Sequence, residues 1–146
     1  MLEYRVYQNK NKVTSTYGKF YARAAINQSI NIDGLAHHMS QHNTPFSKGV
    51  IKGMLTDMVA CIHELVLNGT AVKIDDLAIF SVGIEAMPAD TAEDWSIASH
   101  LRSYKLRARA TGEFSRAELN AVATSKEAAH YEYNKKEAAS KETEQP

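Results

Sequence analysis

The order of sequence patterns predicts an α+β fold, with two helices packed on a small antiparallel sheet, two strands ahead of them and a short helix after. Three features carry this reading. Between Ser47 and Asn68 apolar residues recur at three- and four-residue steps, the period of an amphipathic helix. Segments before and after it alternate apolar and polar residues, as half-buried strands do. Glycine, proline and capping residues stand at the joints between these patterns.

Tyr4–Gln8 (YRVYQ) and Lys19–Ile26 (KFYARAAI) are rich in aromatic and β-branched residues, and the polar run NKNKVTSTYG between them serves as a long hairpin loop. NIDGLAHHMSQHN reads as a short helix capped by Asn31 or Asp33, with Leu35, Ala36 and Met39 inward. Thr44-Pro45 breaks the chain. Ser47 then caps the long helix, whose stripe is Ile51, Met54, Leu55, Met58, Ile62, Leu65 and Val66, and Gly69 supplies its left-handed stop. Cys61 lies between the stripe residues and reads as core. Val72 and Ile74 alternate as strand, Asp75-Asp76 interrupts the period, and Ile79 or Phe80 resumes it, so a bulge or tight turn is expected there. Residues 85–100 read as an acidic hairpin tip, with Trp95 and Ile97 starting a returning strand that continues through Leu101–Ala110. Ser115-x-x-Glu118 is a capping box opening a helix through Leu119 and Val122. The expected organisation is one domain over residues 1–124, with 1–31 as an N-terminal strand extension and 32–124 as core. Residues 125–146 would be a polar tail, helical or disordered.

Composition narrows the class. The chain has 146 residues, no net charge, 44% hydrophobic and 23% charged residues, and one cysteine. That is enough chain to bury a core without disulfides or a structural metal, and a lone cysteine suits a reducing compartment. The first thirty residues hold no uninterrupted apolar stretch with a cleavage site, and no run approaches a membrane span. A cytoplasmic location is expected. The neutral total is segmented, however. Residues 1–31 carry +4 and 74–101 carry −6, while 102–116, with Arg102, Lys105, Arg107, Arg109 and Arg116 against Glu113, return to +4. A local anion-binding surface is therefore compatible with zero net charge.

The chemistry-bearing stretch is YKLRARATGEFSRAELN, Tyr104–Asn120. Period two puts Lys105, Arg107 and Arg109 on one strand face, about 6.6–6.8 Å apart, and Tyr104, Leu106 and Ala108 on the other. Such a row can follow successive phosphates. Arg102 and Arg116 extend it, and Lys73 can join from a neighbouring strand. His38 and His42 share a helical face, but a third ligand is lacking and no metal site is expected. No nucleotide loop, nucleophile elbow or acid–base pair is present in the sequence, so catalysis, a cofactor and a small-molecule substrate are not expected.

The run Ile32–Val82 together with Leu106–Asn120 resembles the bacterial histone-like HU and integration host factor family, in its divergent branch of Bacteroidetes type with an N-terminal extension. The resemblance rests on the short helix, the Ser47-capped helix, Gly69, DLAIF at Asp76–Phe80 and ATGEFSRAELN at Ala110–Asn120. Phe80 matches the last position of the family's GFGxF turn, whose glycines are here Asp76 and Ala78. The resemblance implies an HU-like intertwined homodimer with β-arms and a sheet saddle that binds and bends duplex DNA without reading sequence. The implied setting is the nucleoid. Two departures stand out: Gly83–Ser103, the arm region, holds four acidic residues where the family is basic, and Glu113 replaces an expected lysine. They make a dimeric structural or protein-interaction module with weakened DNA binding the alternative.

Overall fold

The computed structural model describes residues 1–134, which fall into two compact units. One joins Met1–Ser29 to the chain from Val122 onward; the other is Ile30–Ala121. In order the elements are β1 (Leu2–Gln8), β2 (Phe20–Ala24), α1 (Ile32–Ser40), α2 (Lys48–Leu67), β3 (Val72–Ile74), β4 (Ala78–Ala86), α3 (Ile97–His100), β5 (Leu101–Ala110), α4 (Arg116–Val122) and β6 (Ser125–Glu127).

In the first unit β1 is the central strand, antiparallel to β2 and parallel to β6. The loop between β1 and β2 is tied by Asn9, whose side-chain amide donates to Thr14 Oγ1 at 2.9 Å and Thr16 Oγ1 at 2.8 Å. The expected division of the chain differs here. Its polar tail begins as a strand, because β1 offers a free edge: Leu2 N donates to Thr124 O (2.9 Å) and Tyr4 O accepts from Ala128 N (2.9 Å). Backbone pairing of this kind needs no apolar pattern, so Ser125–Glu127 gave no sign of it. Residues 135–146 of the expected tail lie outside the described residues.

In the second unit α1 starts at Asn31, whose side chain accepts from Gly34 N at 2.9 Å. Asp33 is thereby free to reach the next helix. It accepts from Lys48 Nζ at 2.8 Å and Lys52 Nζ at 3.1 Å, clasping α1 to α2. Both lysines hold its carboxyl below the ordinary aspartate value, Lys48 the more strongly. Ser47 caps α2 through its Oγ, and Gly69 follows the helix at φ +80°. Ala36 is wholly buried at the helix pair, with Ile51 and Val66. The rest of the expected stripe is less covered: Leu55 and Ile62 are half-buried, while Leu35, Met39, Met54, Met58 and Leu65 are exposed, as is Cys61. The single chain has more apolar helix surface than its three-stranded sheet can hide.

That sheet runs β3–β4–β5, antiparallel throughout. The interruption at Asp75-Asp76 is a three-residue hairpin turn closed by Leu77 N to Ile74 O at 3.2 Å. Asp76 takes φ +61°, the left-handed conformation usually given to glycine but tolerated by aspartate. It packs on Gly112, itself at φ +53°, where an added Cβ would collide with Asp76 Oδ1 and lie only 2.6 Å from its Cα. Thr111 N donates to Leu77 O at 3.1 Å beside this contact. The returning strand starts later than expected. Ser96 caps the short α3 through Ser99 N, and its own N–H bonds His100 Nδ1 at 3.2 Å, so Trp95 stacks on His100 and Ile97 is helical. These local bonds outcompete pairing until Leu101.

Two substitutions probe these joints. Gly112→Ala should cost about 2 kcal/mol or more in a denaturant titration, since it combines positive-φ strain with a backbone collision. Asp33→Asn should lower the melting temperature at neutral pH. The clasp acts fully above the unfolded aspartate value of about 3.9 and fades as pH falls toward the lower folded value. The gap between variant and parent should therefore close on acidification, and a constant gap would assign the loss to something else.

Candidate functional site

Register in the β4–β5 ladder builds the site. Arg109 stands opposite Ile79, Arg107 opposite Ser81, Lys105 opposite Gly83 and Ser103 opposite Glu85. Lys73 of β3 stands opposite Ile79 from the other side. Directly opposed residues share a face, so Lys73, Lys105, Arg107 and Arg109 stand on one side of the sheet. Val72, Ile74, Phe80, Val82, Tyr104 and Leu106 occupy the other. All four cations are exposed.

The floor between them is low. Gly83 is buried, and a Cβ there would collide with Arg107 Nε and lie 2.8 Å from its Cζ. The guanidinium of Arg107 thus lies across the backbone of β4, a position that only glycine leaves open. Two of the cations are already paired: Lys105 with Glu85 at 2.5 Å and Lys73 with Asp75 at 2.9 Å. Lys105, and then Ser103, hold the Glu85 carboxyl below its ordinary range, while Asp75 raises the Lys73 ammonium. Among the described residues Arg107 and Arg109 form no ion pair.

The remaining sequence candidates sit elsewhere. Ser103 pairs with Glu85 and Leu101 with Ala86, which leaves Arg102 as the extra residue of a bulge. The bulge breaks the strand period there, so Arg102 stands outside the regular row. Arg116 is the exposed first residue of α4. The N-terminus of α4 is occupied by its own cap, Ser115 Oγ accepting from Glu118 N at 3.4 Å. His38 and His42 do meet, with Nε2 atoms 3.1 Å apart. No group of three or more metal-ligating side chains exists among the described residues. In the acidic loop Asp94 bonds Thr91 Oγ1 at 2.7 Å and is part of a local turn.

Sequence reasoning found the cations but missed Ser81, Gly83 and Glu85. Their alternation in SVGIE mirrors that of KLRAR, and only the pairing register shows that the two alternations face each other.

On the opposite face a groove of about 480 Å³ separates the sheet from α2, lined by Met58, Val59, Ile62, Phe80, Val82 and Leu106 among others. A second apolar groove lies beside Met39, Phe46, Ile51 and Met54. No helix among the described residues is long and apolar enough to cross a membrane.

A family model, HU-HIG, described as an HU domain fused to a wHTH, Ig or glycine-rich motif, matches residues 1–122. The chain belongs to this family. HU domains are architectural and not enzymatic. The HU-HIG match includes β1 and β2, so the N-terminal strands are part of what the family model describes. Among solved structures, the chain is similar to the crystal structure of a "putative bacterial DNA binding protein" from Bacteroides vulgatus ATCC 8482. The TM-score is 0.60 at 13% identity, over 86% of this chain and 47% of that one. The likeness is one of fold, and the chain spans about half of that structure. No curated protein matches the chain.

Proposed function

We propose that this HU-family protein is an architectural DNA-binding protein whose β3–β4–β5 sheet holds duplex DNA, without sequence preference, as the saddle of an intertwined homodimer. The observation that carries the proposal is the row of Lys105, Arg107 and Arg109 on one sheet face, joined by Lys73, over a floor of Ser81 and Gly83. The glycine lets the Arg107 guanidinium lie on the sheet, and planar guanidinium groups can grip phosphate oxygens in pairs. Arg116 adds a phosphate contact beyond the end of β5, and Arg102 one at the bulge. Binding bends the duplex and takes place in the nucleoid, in the cytoplasm. The chain falls in the Bacteroidetes-type branch of the family, which accounts for strands ahead of the helices.

The partner copy is called for by the apolar groove between α2 and the sheet. Leu106 is 67% exposed, Tyr104 61% and Val59 52%, and a second copy of the chain would bury them. No membrane or small-molecule ligand enters this reading.

A second reading has its own observation. Glu85 and Asp75 neutralise Lys105 and Lys73, and Asp90, Glu93 and Asp94 lie in the loop where basic arms are expected. On that reading the dimer serves as a structural or protein-interaction module.

A mobility shift with long duplex DNA across a salt series separates the two. Affinity should fall steeply with salt, and the triple change of Lys105, Arg107 and Arg109 to Ala should make the slope shallower by about 2–3. Glu85→Gln should strengthen binding by releasing Lys105. No shift even at about 50 mM salt would sink the duplex reading and favour the module. The dimer is tested by sizing chromatography: the parent should elute as a dimer at micromolar concentration and Val59→Asp as a monomer. A single folded chain would tolerate that change at an exposed position, so an unaltered elution volume counts against the dimer.

A further inference from the structure

The sheet of the first unit sorts its side chains as strictly as the second. Arg5 pairs with Arg23 and Tyr7 with Tyr21, so these four share a face. Asn9 and Lys19 continue the ladder through Asn9 N to Lys19 O at 2.8 Å, which adds Lys19 to that face. At its other end Glu3 stands beside Lys126. The opposite face carries Tyr4, Val6, Gln8, Phe20, Ala22 and Ala24, and the chain after β6 folds back on it: Tyr133 meets Phe20 edge-on, ring centroids 5.2 Å apart. The arginine–tyrosine face is open to solvent along its length, with Arg5, Tyr7, Lys19, Tyr21 and Arg23 all exposed, while β2 is exposed on its other side as well.

Its content is unusual for a solvated face. Two arginines stand directly opposite each other, an arrangement that costs free energy unless something anionic relieves it. Glu3 is the face's one carboxylate among these strand residues, and it is taken by Lys126 at 3.1 Å. The tyrosine rings lie 6.1 Å apart, tilted 31°, and the Arg23 guanidinium sits 5.2 Å above the Tyr7 ring. Flat surfaces and cations that form no ion pair among the described residues therefore alternate across two strands. A ligand that uses both must offer planar rings and regular negative charge. Duplex DNA hides its base faces within its own stack and could use the cations alone. Unpaired bases can lie on tyrosine rings and on a guanidinium plane while their phosphates meet arginine and lysine.

We propose that the open β1–β2 face binds single-stranded nucleic acid, stacking bases on Tyr7, Tyr21 and the Arg23 guanidinium and pairing phosphates with Arg5 and Lys19. This site is independent of the duplex reading, which uses the other sheet.

The test is fluorescence anisotropy of the full chain with labelled oligothymidylate and oligouridylate of about a dozen nucleotides at about 50 mM salt. Binding of either oligonucleotide should weaken about tenfold or more on joint change of Tyr7 and Tyr21 to Ser. Changing Arg107 and Arg109 to Ala should leave it within about twofold. Should the tyrosine variant fold poorly, Arg5→Gln with Arg23→Gln should still weaken binding and flatten its salt dependence. An affinity that ignores the tyrosines and follows Arg107 and Arg109 would overturn the proposal. So would the absence of binding, which would leave this face to a protein partner.

Discussion

Register in the β4–β5 ladder is the constraint on which the second unit depends. Shifting one strand by a single residue would carry every side chain to the other face. In β5, Lys105, Arg107 and Arg109 would then face α2, and Tyr104 and Leu106 would face water. What pins the register is the meeting of Asp76 with Gly112. The three-residue turn fixes where β4 begins relative to β3, and its left-handed residue sits so close to Gly112 that no side chain fits between them. The bond from Thr111 N to Leu77 O ties the end of β5 to the same turn. Two segments far apart in sequence, DLAIF and ATGEF, thus form one joint, and the alternation of charge in β5 acquires a direction from it.

The same register leaves the fold incompletely covered. An amphipathic sheet has to cover its apolar face, and α2 supplies a stripe for the purpose, yet only Ile51 and Val66 of that helix are buried. At about 25 cal/mol per Å² of apolar surface, exposed residues of the size of Met54, Val59 and Leu106 represent several kcal/mol of unused stabilisation. The two helices are joined in part by a polar device, the Asp33 clasp. Charged pairs join α1 to α2 while Met, Leu and Val stay open on α2, and that open surface is what the proposed dimer would cover.

Much of this was legible in the residues. The long helix followed from its period and its Ser47 and Gly69 signals, and the three-cation face followed from alternation in KLRAR. Both depend on local periodicity, which a sequence displays directly. What was not legible depends on pairing partners. Nothing in SKE marks it as a strand, since a parallel edge pairing uses only backbone groups. Glu85 looked like part of an acidic arm, whereas its position opposite Ser103 makes it the partner of Lys105. Trp95 and Ile97 have strand-forming side chains, and the Ser96 cap with its His100 bond overrode that preference. Gly83 showed only as a glycine in a strand, which signals a close approach without saying that Arg107 is what approaches.

Charge balance acquires a different meaning once partners are known. At physiological salt the field of an exposed charge fades over about 8 Å, so a distant carboxylate does little to a cation and a touching one does much. Asp90, Glu93 and Asp94 are three of the four acidic residues of the arm region, Gly83–Ser103, yet none of them forms an ion pair with the cationic row among the described residues. Glu85 and Asp75 touch it, and they quench Lys105 at one end and Lys73 on the far strand. Arg107 and Arg109 are left between, one laid across a glycine. Compensation is therefore selective: it falls on the lysines, which act as point charges, and spares the arginines, whose planar groups can pair with a phosphate through two bonds at once. In the proposed mode a neutral protein of this design gives up long-range steering toward DNA and keeps its short-range contacts. Affinity would then rest on two guanidinium groups and the floor beneath them.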